Sequence, residues 1–181
     1  VRHLLYMSPQ RSLIPDRHHG STWVGDRAAD FIRQHPGDRP FFLWASWIAP
    51  HPPFNVSEEF ADLYAGVDLP APIARTWPGQ PWRSAHAERW SSIPDERRPA
   101  FLRRMRELYH ASIAQVDRAM GRVLTALDER GLSDDTVIIQ TSDHGEMLGD
   151  LGLLQKEVPY EASVRIPLTI RYPRHFAAGS V

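Results

Sequence analysis

The sequence contains no cysteine, only one lysine and almost no net charge. Without cysteine among its 181 residues, the chain has no disulfide, no thiolate metal site and no cysteine nucleophile of its own. The lack of cysteine is compatible with either side of a membrane, so it predicts no compartment. A formal net charge of −1 gives no electrostatic basis for binding nucleic acid or an acidic membrane surface.

Long apolar runs are also missing. No window approaches the roughly 18 apolar residues that a transmembrane helix needs, so no membrane span is predicted. The remaining composition is ordinary, with 42% hydrophobic and 24% charged residues, and it excludes a disordered chain. A chain of this length can build a domain with a substantial core. Composition predicts nothing about oligomeric state.

Apolar periodicity predicts two helices and three strands. The helical patterns cover Thr22–Gln34 and Pro99–Arg130, where apolar residues recur at three- and four-residue steps. Three apolar stretches predict strands: Phe41–Ile48, which reads as buried on both faces, Val137–Thr141 and Ile166–Tyr172. The alternation of strands and helices predicts an α/β fold with a mostly parallel sheet flanked by helices.

One segment breaks this pattern. Residues 70–99 hold six prolines and three tryptophans, Trp77, Trp82 and Trp90, with little periodicity. They predict a long irregular segment that packs over the surface, where the tryptophans could line a sugar or aryl pocket or serve in core packing.

Asp143 and His144 stand where an apolar strand ends. A carboxylate and an imidazole at the C-terminal end of a strand suit a divalent cation, although two ligands do not complete a coordination shell. The alternative is a structural turn in which Asp143 binds backbone amides. The sequence pattern alone leaves both interpretations open.

Two further side chains are candidates for binding an anion. Lys156 lies 13 positions after Asp143 and is the single lysine beside 20 arginines, which suggests a need for a compact ammonium charge. His51 lies between Pro50 and Pro52 at the end of a predicted strand, where α/β proteins collect functional groups. Either residue could instead have a plain structural role. Weaker candidates, expected to support the loop or shape the site, are Glu146, Asp150, Tyr160, Glu161, His18 and His19.

One segment resembles the C-terminal signature of the type I sulfatases, members of the alkaline-phosphatase-like superfamily that use a formylglycine, and a second resembles an earlier strand and turn of that family. The first carries Ser142-Asp143-His144-Gly145-Glu146-Met147-Leu148-Gly149-Asp150, then Leu153-Leu154-Gln155-Lys156 and Val164-Arg165-Ile166-Pro167. The second is Phe41-Phe42-Leu43 with the turn Pro50-His51-Pro52-Pro53-Phe54. The similarity is weak only over residues 66–98, which we interpret as an irregular Pro/Trp-rich insertion.

The resemblance implies a role for each candidate residue. Asp143 and His144 match ligands of a divalent cation, most commonly Ca²⁺, with Mg²⁺ or Mn²⁺ as alternatives. Lys156 matches the lysine that binds sulfate and steadies the nucleophile, and His51 matches the histidine that contacts sulfate and assists the leaving group. The expected substrate is a small-molecule or carbohydrate sulfate ester.

The resemblance also implies parts that these residues do not contain. The formylglycine nucleophile and the first metal-binding acids lie upstream in such enzymes. Met7-Ser8-Pro9-Gln10-Arg11 imitates the nucleophile motif, but the thioether of Met7 cannot serve as that nucleophile. We therefore expect residues 1–181 to be part of one sulfatase catalytic domain, truncated at both ends and inactive alone.

Three functions follow from these residues. The first is hydrolysis of sulfuric esters. The second is hydrolysis of phosphonate monoesters or phosphodiesters by the same type of site. The third is binding without catalysis, in a protein that has lost its nucleophile. Leu151, which stands where the family often has a histidine, leaves the substrate preference undetermined.

Overall fold

A computed structural model describes residues 9–74, 77–80, 90 and 93–179 of the chain. Its helices and strands follow in the order β1 (Gln10–Ser12), α1 (Gly20–Gln34), β2 (Asn55–Ser57), α2 (Glu58–Ala61), α3 (Arg98–Glu129), β3 (Ile138–Thr141), α4 (Glu161–Val164) and β4 (Leu168–Arg171). Both predicted helices and the predicted strands at Val137–Thr141 and Ile166–Tyr172 are confirmed, with small differences at their ends. Among the described residues, no helix is both long and apolar enough to cross a membrane.

The helix α3 is the frame on which the other elements pack. Its 32 residues span about 48 Å, and α1 lies along its C-terminal half. The two backbones approach closely because Gly25 faces Ala119: a Cβ atom at Gly25 would lie 2.7 Å from the Ala119 carbonyl oxygen. Ile32 of α1 and Leu127 of α3 are buried together at the far end of this contact.

A second core cluster holds the loops that carry the candidate site residues. Phe54, which follows the His51 turn, is buried with Met105 and Leu108 of α3. Leu148 and Leu154, from the segment that leads to Lys156, belong to the same cluster. Since burial of each such side chain contributes about 1.5–3 kcal/mol, this cluster fixes both loops against one face of α3.

Asp16 is a largely buried ionic centre, with its side chain 11% exposed, that was not predicted from the sequence. Its Oδ1 atom accepts hydrogen bonds from Thr22 at 3.1 Å, Ser57 at 3.2 Å and Gln115 at 2.8 Å, and its Oδ2 atom pairs with Arg118. Burial raises the pKa of Asp16, but these hydrogen bonds and the Arg118 charge outweigh it, so the pKa lies below its ordinary value. The carboxylate therefore joins α1, β2 and α3.

Within the described part of the chain, the strands form two small sheets. β1 and β2 pair in parallel, with Arg11 opposite Val56. β3 and β4 pair antiparallel, with Ile139 opposite Ile170. The β3–β4 pair leaves apolar side chains in solvent, since Ile139 is 61% exposed and Leu168 is 65% exposed.

The predicted strand at Phe41–Ile48 is wrong for the described structure. Its side chains alternate between half-buried and exposed, as in a strand, but no neighbouring strand among the described residues supplies hydrogen bonds. It is therefore not buried on both faces: Phe41 packs on the α1–α3 core, whereas Phe42 and Trp44 are 85% and 76% exposed. The side chains have the two-residue period of a strand, but a strand also needs a partner.

Part of the predicted irregular segment can be compared with the structure. Residues 66–74 and 77–80 contain neither helix nor strand. Trp77 contacts Tyr160 edge-on at 6.4 Å between ring centroids, and the indole N–H of Trp90 donates to the Gly152 carbonyl at 2.9 Å. These contacts favour packing over the loop that carries Lys156. Trp82 lies outside the described residues, as do Met7 and Ser8.

Candidate active site

The end of β3 is held in place by its neighbours. The Thr141 hydroxyl donates to the Pro167 carbonyl at 2.9 Å, and the Gly145 N–H donates to the Ser163 carbonyl at 2.7 Å. Asp143 and His144 therefore lie between two points that are fixed to the α4–β4 region. The chain leaves the strand here, which lets consecutive side chains approach each other.

Gly145 is required by a close backbone approach. A Cβ atom at this position would lie 2.1 Å from the carbonyl oxygen of Ala162, too close for any side chain. We expect Gly145→Ala to lower the free energy of unfolding by about 2 kcal/mol, because the β3 end must move away from α4. Urea unfolding would measure the change.

The matched control for that substitution is Gly121→Ala in α3. A Cβ atom at Gly121 meets no heavy atom within 4 Å, and alanine is favoured over glycine in a helix interior by about 1 kcal/mol. The control variant should be as stable as the parent or more stable. Equal stability of the Gly145→Ala variant and the parent would contradict the packing argument.

His144 is held in one tautomer by the backbone of the next residue, Gly145. Its Nδ1 atom lies 2.8 Å from the Gly145 carbonyl oxygen, and since a carbonyl only accepts, Nδ1 carries the proton. Nε2 then presents a lone pair, 3.6 Å from Oδ2 of Asp143. This is the form in which histidine binds a metal.

The carboxylate of Asp143 is accessible and ionised. The side chain is 85% exposed, and Oδ1 accepts the His144 N–H at 3.0 Å. Slight desolvation raises the pKa of Asp143, but the electrostatic effect of the neighbouring His144 ring and the local hydrogen bonds outweigh it, so the pKa lies below its ordinary value. The backbone contact matches the structural turn considered above, and it leaves Oδ2 directed towards His144.

These two donors fit a divalent cation in part. A separation of 3.6 Å allows one ion to contact both atoms at ordinary metal–ligand distances of about 2.0–2.6 Å. Among the described residues, no group of three or more His, Asp or Glu side chains could hold a metal. The pair can therefore supply two ligands, and further ligands must come from elsewhere.

His51 is held in the same tautomer as His144, also by the backbone of the next residue. Its Nδ1 atom lies 2.7 Å from the Pro52 carbonyl oxygen, so Nδ1 donates. Nε2 is then the acceptor for the ammonium of Lys156, 2.5 Å away. The two residues are separated by 105 positions in the chain, and this contact brings both candidate anion-binding groups together.

The loop that carries Lys156 has an unusual backbone. Gln155 and Glu157, the two neighbours of Lys156, have φ angles of +67° and +77°, which non-glycine residues adopt rarely. The loop is closed by the Met147 N–H, which donates to the Gln155 carbonyl at 2.9 Å. Such a conformation persists only when its surroundings hold it.

Three of the four predicted site residues line one cleft of about 320 Å³, and the fourth, Lys156, contacts one of them. Asp143, His144 and His51 line it, and the His51 and His144 rings are 6.0 Å apart between centroids. Lys156 reaches the cleft through its contact with His51. A cleft with an ammonium, two imidazoles and a carboxylate can hold a cation and an oxyanion side by side.

Tyr109 and Glu146 line the same cleft, and neither was predicted to do so. Burial, with a smaller effect of the Glu146 charge, raises the pKa of Tyr109. Burial also raises the pKa of Glu146, although amide hydrogen bonds and the charge of Lys156 oppose the shift. Glu146 was expected only to support the loop. Tyr109 was not predicted because nothing in the apolar periodicity of α3 distinguishes it from its neighbours.

Two of the weaker candidates, His19 and Asp150, have structural contacts. His19 caps α1, since its Nδ1 accepts the Ser21 N–H at 3.3 Å, and His18 is exposed. Asp150 accepts the Ile73 N–H at 2.9 Å, which supports the loop as expected.

A larger depression of about 460 Å³ lies away from these residues, beside Asp16 and Arg118. Arg118 is paired there with Asp16 and Glu59. This mutual pairing favours a structural surface, and the smaller cleft remains the candidate site.

Comparison with known proteins gives the family. A sulfatase family model matches residues 6–181. The chain is 32% identical over 161 residues to an arylsulfatase of Clostridium perfringens, covering 89% of this chain and 34% of that protein. It is 39% identical over 176 residues to a multifunctional alkaline phosphatase superfamily protein of Trinickia caryophylli, covering 88% and 34%. The chain thus spans about a third of the length of these relatives.

A solved structure gives the same answer for the fold. The phosphonate monoester hydrolase of Agrobacterium radiobacter superposes with a TM-score of 0.74 at 29% identity, covering 94% of this chain and 36% of that one. The predicted α/β, alkaline-phosphatase-like fold class is confirmed by this neighbour and by the family match. The chain belongs to the sulfatase family of the alkaline-phosphatase-like superfamily.

Proposed function

We propose that the protein containing this chain hydrolyses sulfuric esters of small molecules or carbohydrates. The observation that carries the proposal is the Lys156–His51 contact of 2.5 Å beside the Asp143–His144 pair in one cleft. Relatives of this chain include a choline-sulfatase of Rhizobium meliloti and an iduronate 2-sulfatase of Mus musculus, which supports both substrate classes. We propose that residues 1–181 are part of one catalytic domain.

Family membership implies a divalent metal and a formylglycine in general. When bound, the metal would supply Lewis acidity and the formylglycine, expected upstream, would supply the nucleophile. Asp143 and His144 would hold the metal, for which Ca²⁺ is our first candidate and Mg²⁺ or Mn²⁺ the alternatives. Oδ2 of Asp143 and Nε2 of His144 already face each other.

Lys156 and His51 would act on the substrate. The Lys156 ammonium would bind a sulfate oxygen and offset the charge that grows on it as the ester bond breaks. As the ester bond breaks, the proton that Lys156 shares with Nε2 of His51 would pass to Nε2 and from there to the oxygen of the leaving alcohol, and Lys156 would regain a proton from water. The Nδ1 bond to Pro52 keeps the ring in place during this transfer.

The role of His51 predicts a dependence on the leaving group. In the full-length protein, His51→Ala should lower kcat/KM for an alkyl sulfate about 1,000-fold, because general acids contribute about 10²–10⁴-fold. For 4-nitrophenyl sulfate the loss should be at least tenfold smaller, because 4-nitrophenolate leaves without a proton. The matched control is His18→Ala, since His18 is exposed. Equal losses for both substrates would contradict acid catalysis by His51.

A second function keeps the site and changes the ester. The match to a phosphonate monoester hydrolase at a TM-score of 0.74 favours it. Kinetics with 4-nitrophenyl sulfate and 4-nitrophenyl phenylphosphonate on the same preparation separate the two functions. A higher kcat/KM for the phosphonate would overturn the sulfatase proposal in favour of this one.

A third possibility is binding without catalysis. It is tested by reading the sequence upstream of this chain and by mass spectrometry of the peptide that carries the nucleophile. A Cys or Ser before x-Pro-x-Arg, converted to formylglycine, supports the enzyme. The lack of any such motif supports a binding protein.

A further inference from the structure

We propose that Glu146 is a positioning residue for Lys156, and that it acts as a hydrogen-bond acceptor rather than through its charge. The proposal rests on the proposed function of the cleft, which Glu146 lines. Among the described contacts, the Glu146 carboxylate accepts no hydrogen bond from the Lys156 ammonium. Its carboxylate instead accepts backbone N–H groups of the loop, and one of them belongs to Gln155, the residue before Lys156.

The contacts of Glu146 join the two halves of the site. Oε1 accepts the backbone N–H of Gln155 in a short hydrogen bond, and it accepts the Leu148 N–H at 3.4 Å. Glu146 itself follows Gly145, which is bound to the Ser163 carbonyl at 2.7 Å. One carboxylate oxygen therefore connects the anchored end of β3 to the segment that carries Lys156.

Gln155 is held from both of its backbone groups. Glu146 binds its N–H, and the Met147 N–H donates to its carbonyl at 2.9 Å. The carbonyl belongs to the peptide unit that begins Lys156, so the direction in which the lysine leaves the loop is set by these two bonds. The φ of +67° at Gln155 is one that glutamine adopts rarely, so these bonds help to hold a conformation that the residue type does not favour.

The contact that depends on this geometry is short. Lys156 Nζ lies 2.5 Å from Nε2 of His51, on a different loop. A rotation of the Gln155–Lys156 peptide would swing the long lysine side chain away from the cleft. A misplacement of about 1 Å in a catalytic group can cost about 100-fold in rate.

Substitutions of Glu146 separate the acceptor from the charge. Glu146→Gln keeps an oxygen acceptor and removes the charge, whereas Glu146→Leu removes both. In the full-length protein with 4-nitrophenyl sulfate, we expect Glu146→Leu to lower kcat about 100-fold and to change KM less than kcat. Glu146→Gln should restore kcat to within about tenfold of the parent. The matched control pair is Glu96→Leu and Glu96→Gln, since Glu96 is exposed.

A second measurement does not depend on activity. Acetic anhydride acetylates lysines according to their accessibility, and mass spectrometry of the Lys156 peptide reports the extent. We expect Glu146→Leu to raise the Lys156 acetylation rate at least threefold, and Glu146→Gln to leave it unchanged. If the Leu variant does not fold, Glu146→Asp, which withdraws the acceptor by one methylene, should raise the rate instead.

The outcomes are distinguishable. Unchanged Lys156 acetylation in the Leu and Asp variants overturns the proposal, as does a loss of kcat in Glu146→Gln equal to that in Glu146→Leu. A lower melting temperature in Glu146→Leu with unchanged kcat per folded molecule also overturns it, because the residue is then only structural. A parent protein that hydrolyses no sulfate ester ends the proposed function, while the acetylation result still decides the role of Glu146.

Discussion

Replacing Lys156 by alanine in the full-length protein is expected to lower kcat for sulfate ester hydrolysis about 1,000-fold. The ammonium faces Nε2 of His51 at 2.5 Å in the cleft, and removing one preorganised group that stabilises developing charge costs about 10²–10³-fold. The variant also leaves His51 without the donor on Nε2. Steady-state kinetics with 4-nitrophenyl sulfate would measure the loss.

Two further variants sharpen this result. Lys156→Arg keeps a positive charge but replaces the compact ammonium by a planar guanidinium, so we expect it to recover only part of the activity. Arg103→Ala removes an exposed cation from α3 and is the control for a general change in charge. Unchanged activity in Lys156→Ala would reject the assignment of this residue.

The second large effect is expected at the metal ligands. Asp143→Ala should weaken the affinity for a divalent cation at least 100-fold and lower activity at limiting metal accordingly, because the variant removes one of two facing donors. His144→Ala should do the same. Since the Asp143 side chain is 85% exposed, its removal should barely change the melting temperature of the metal-free protein.

Isothermal titration calorimetry of the chelator-treated protein with Ca²⁺, Mg²⁺ and Mn²⁺ measures these affinities and identifies the preferred ion. Asp68→Ala, at an exposed loop position, is the matched control. An unchanged dissociation constant in Asp143→Ala would show that the turn is structural, which is the alternative that the sequence left open.

The sequence predicted the parts of this site that depend on local pattern. The apolar strand before Asp143 and the three- and four-residue periodicity of α3 need no knowledge of distant residues, and both are confirmed. The contact between His51 and Lys156 joins positions 105 apart. Periodicity contains no information on such a contact, so only the resemblance to sulfatases predicted that the two residues share a substrate.

Other features had no signal in the sequence. A strand at Phe41–Ile48 was predicted from its apolar side chains, but strand formation depends on a partner elsewhere. The left-handed backbone at Gln155 and Glu157 was not predicted because neither residue type favours it. Asp16 looked like one acid among 22 acidic residues, and its burial depends on α1, β2 and α3 being assembled.

The two histidines of the cleft share a property that bears on how such proteins diversify. In each ring Nδ1 is held by a carbonyl of the adjacent peptide, that of Pro52 for His51 and that of Gly145 for His144. Replacement of side chains in the cleft walls therefore leaves the Nδ1 hydrogen bond of each ring in place. New substrates can be accommodated by mutating the cleft walls while the chemistry is inherited unchanged.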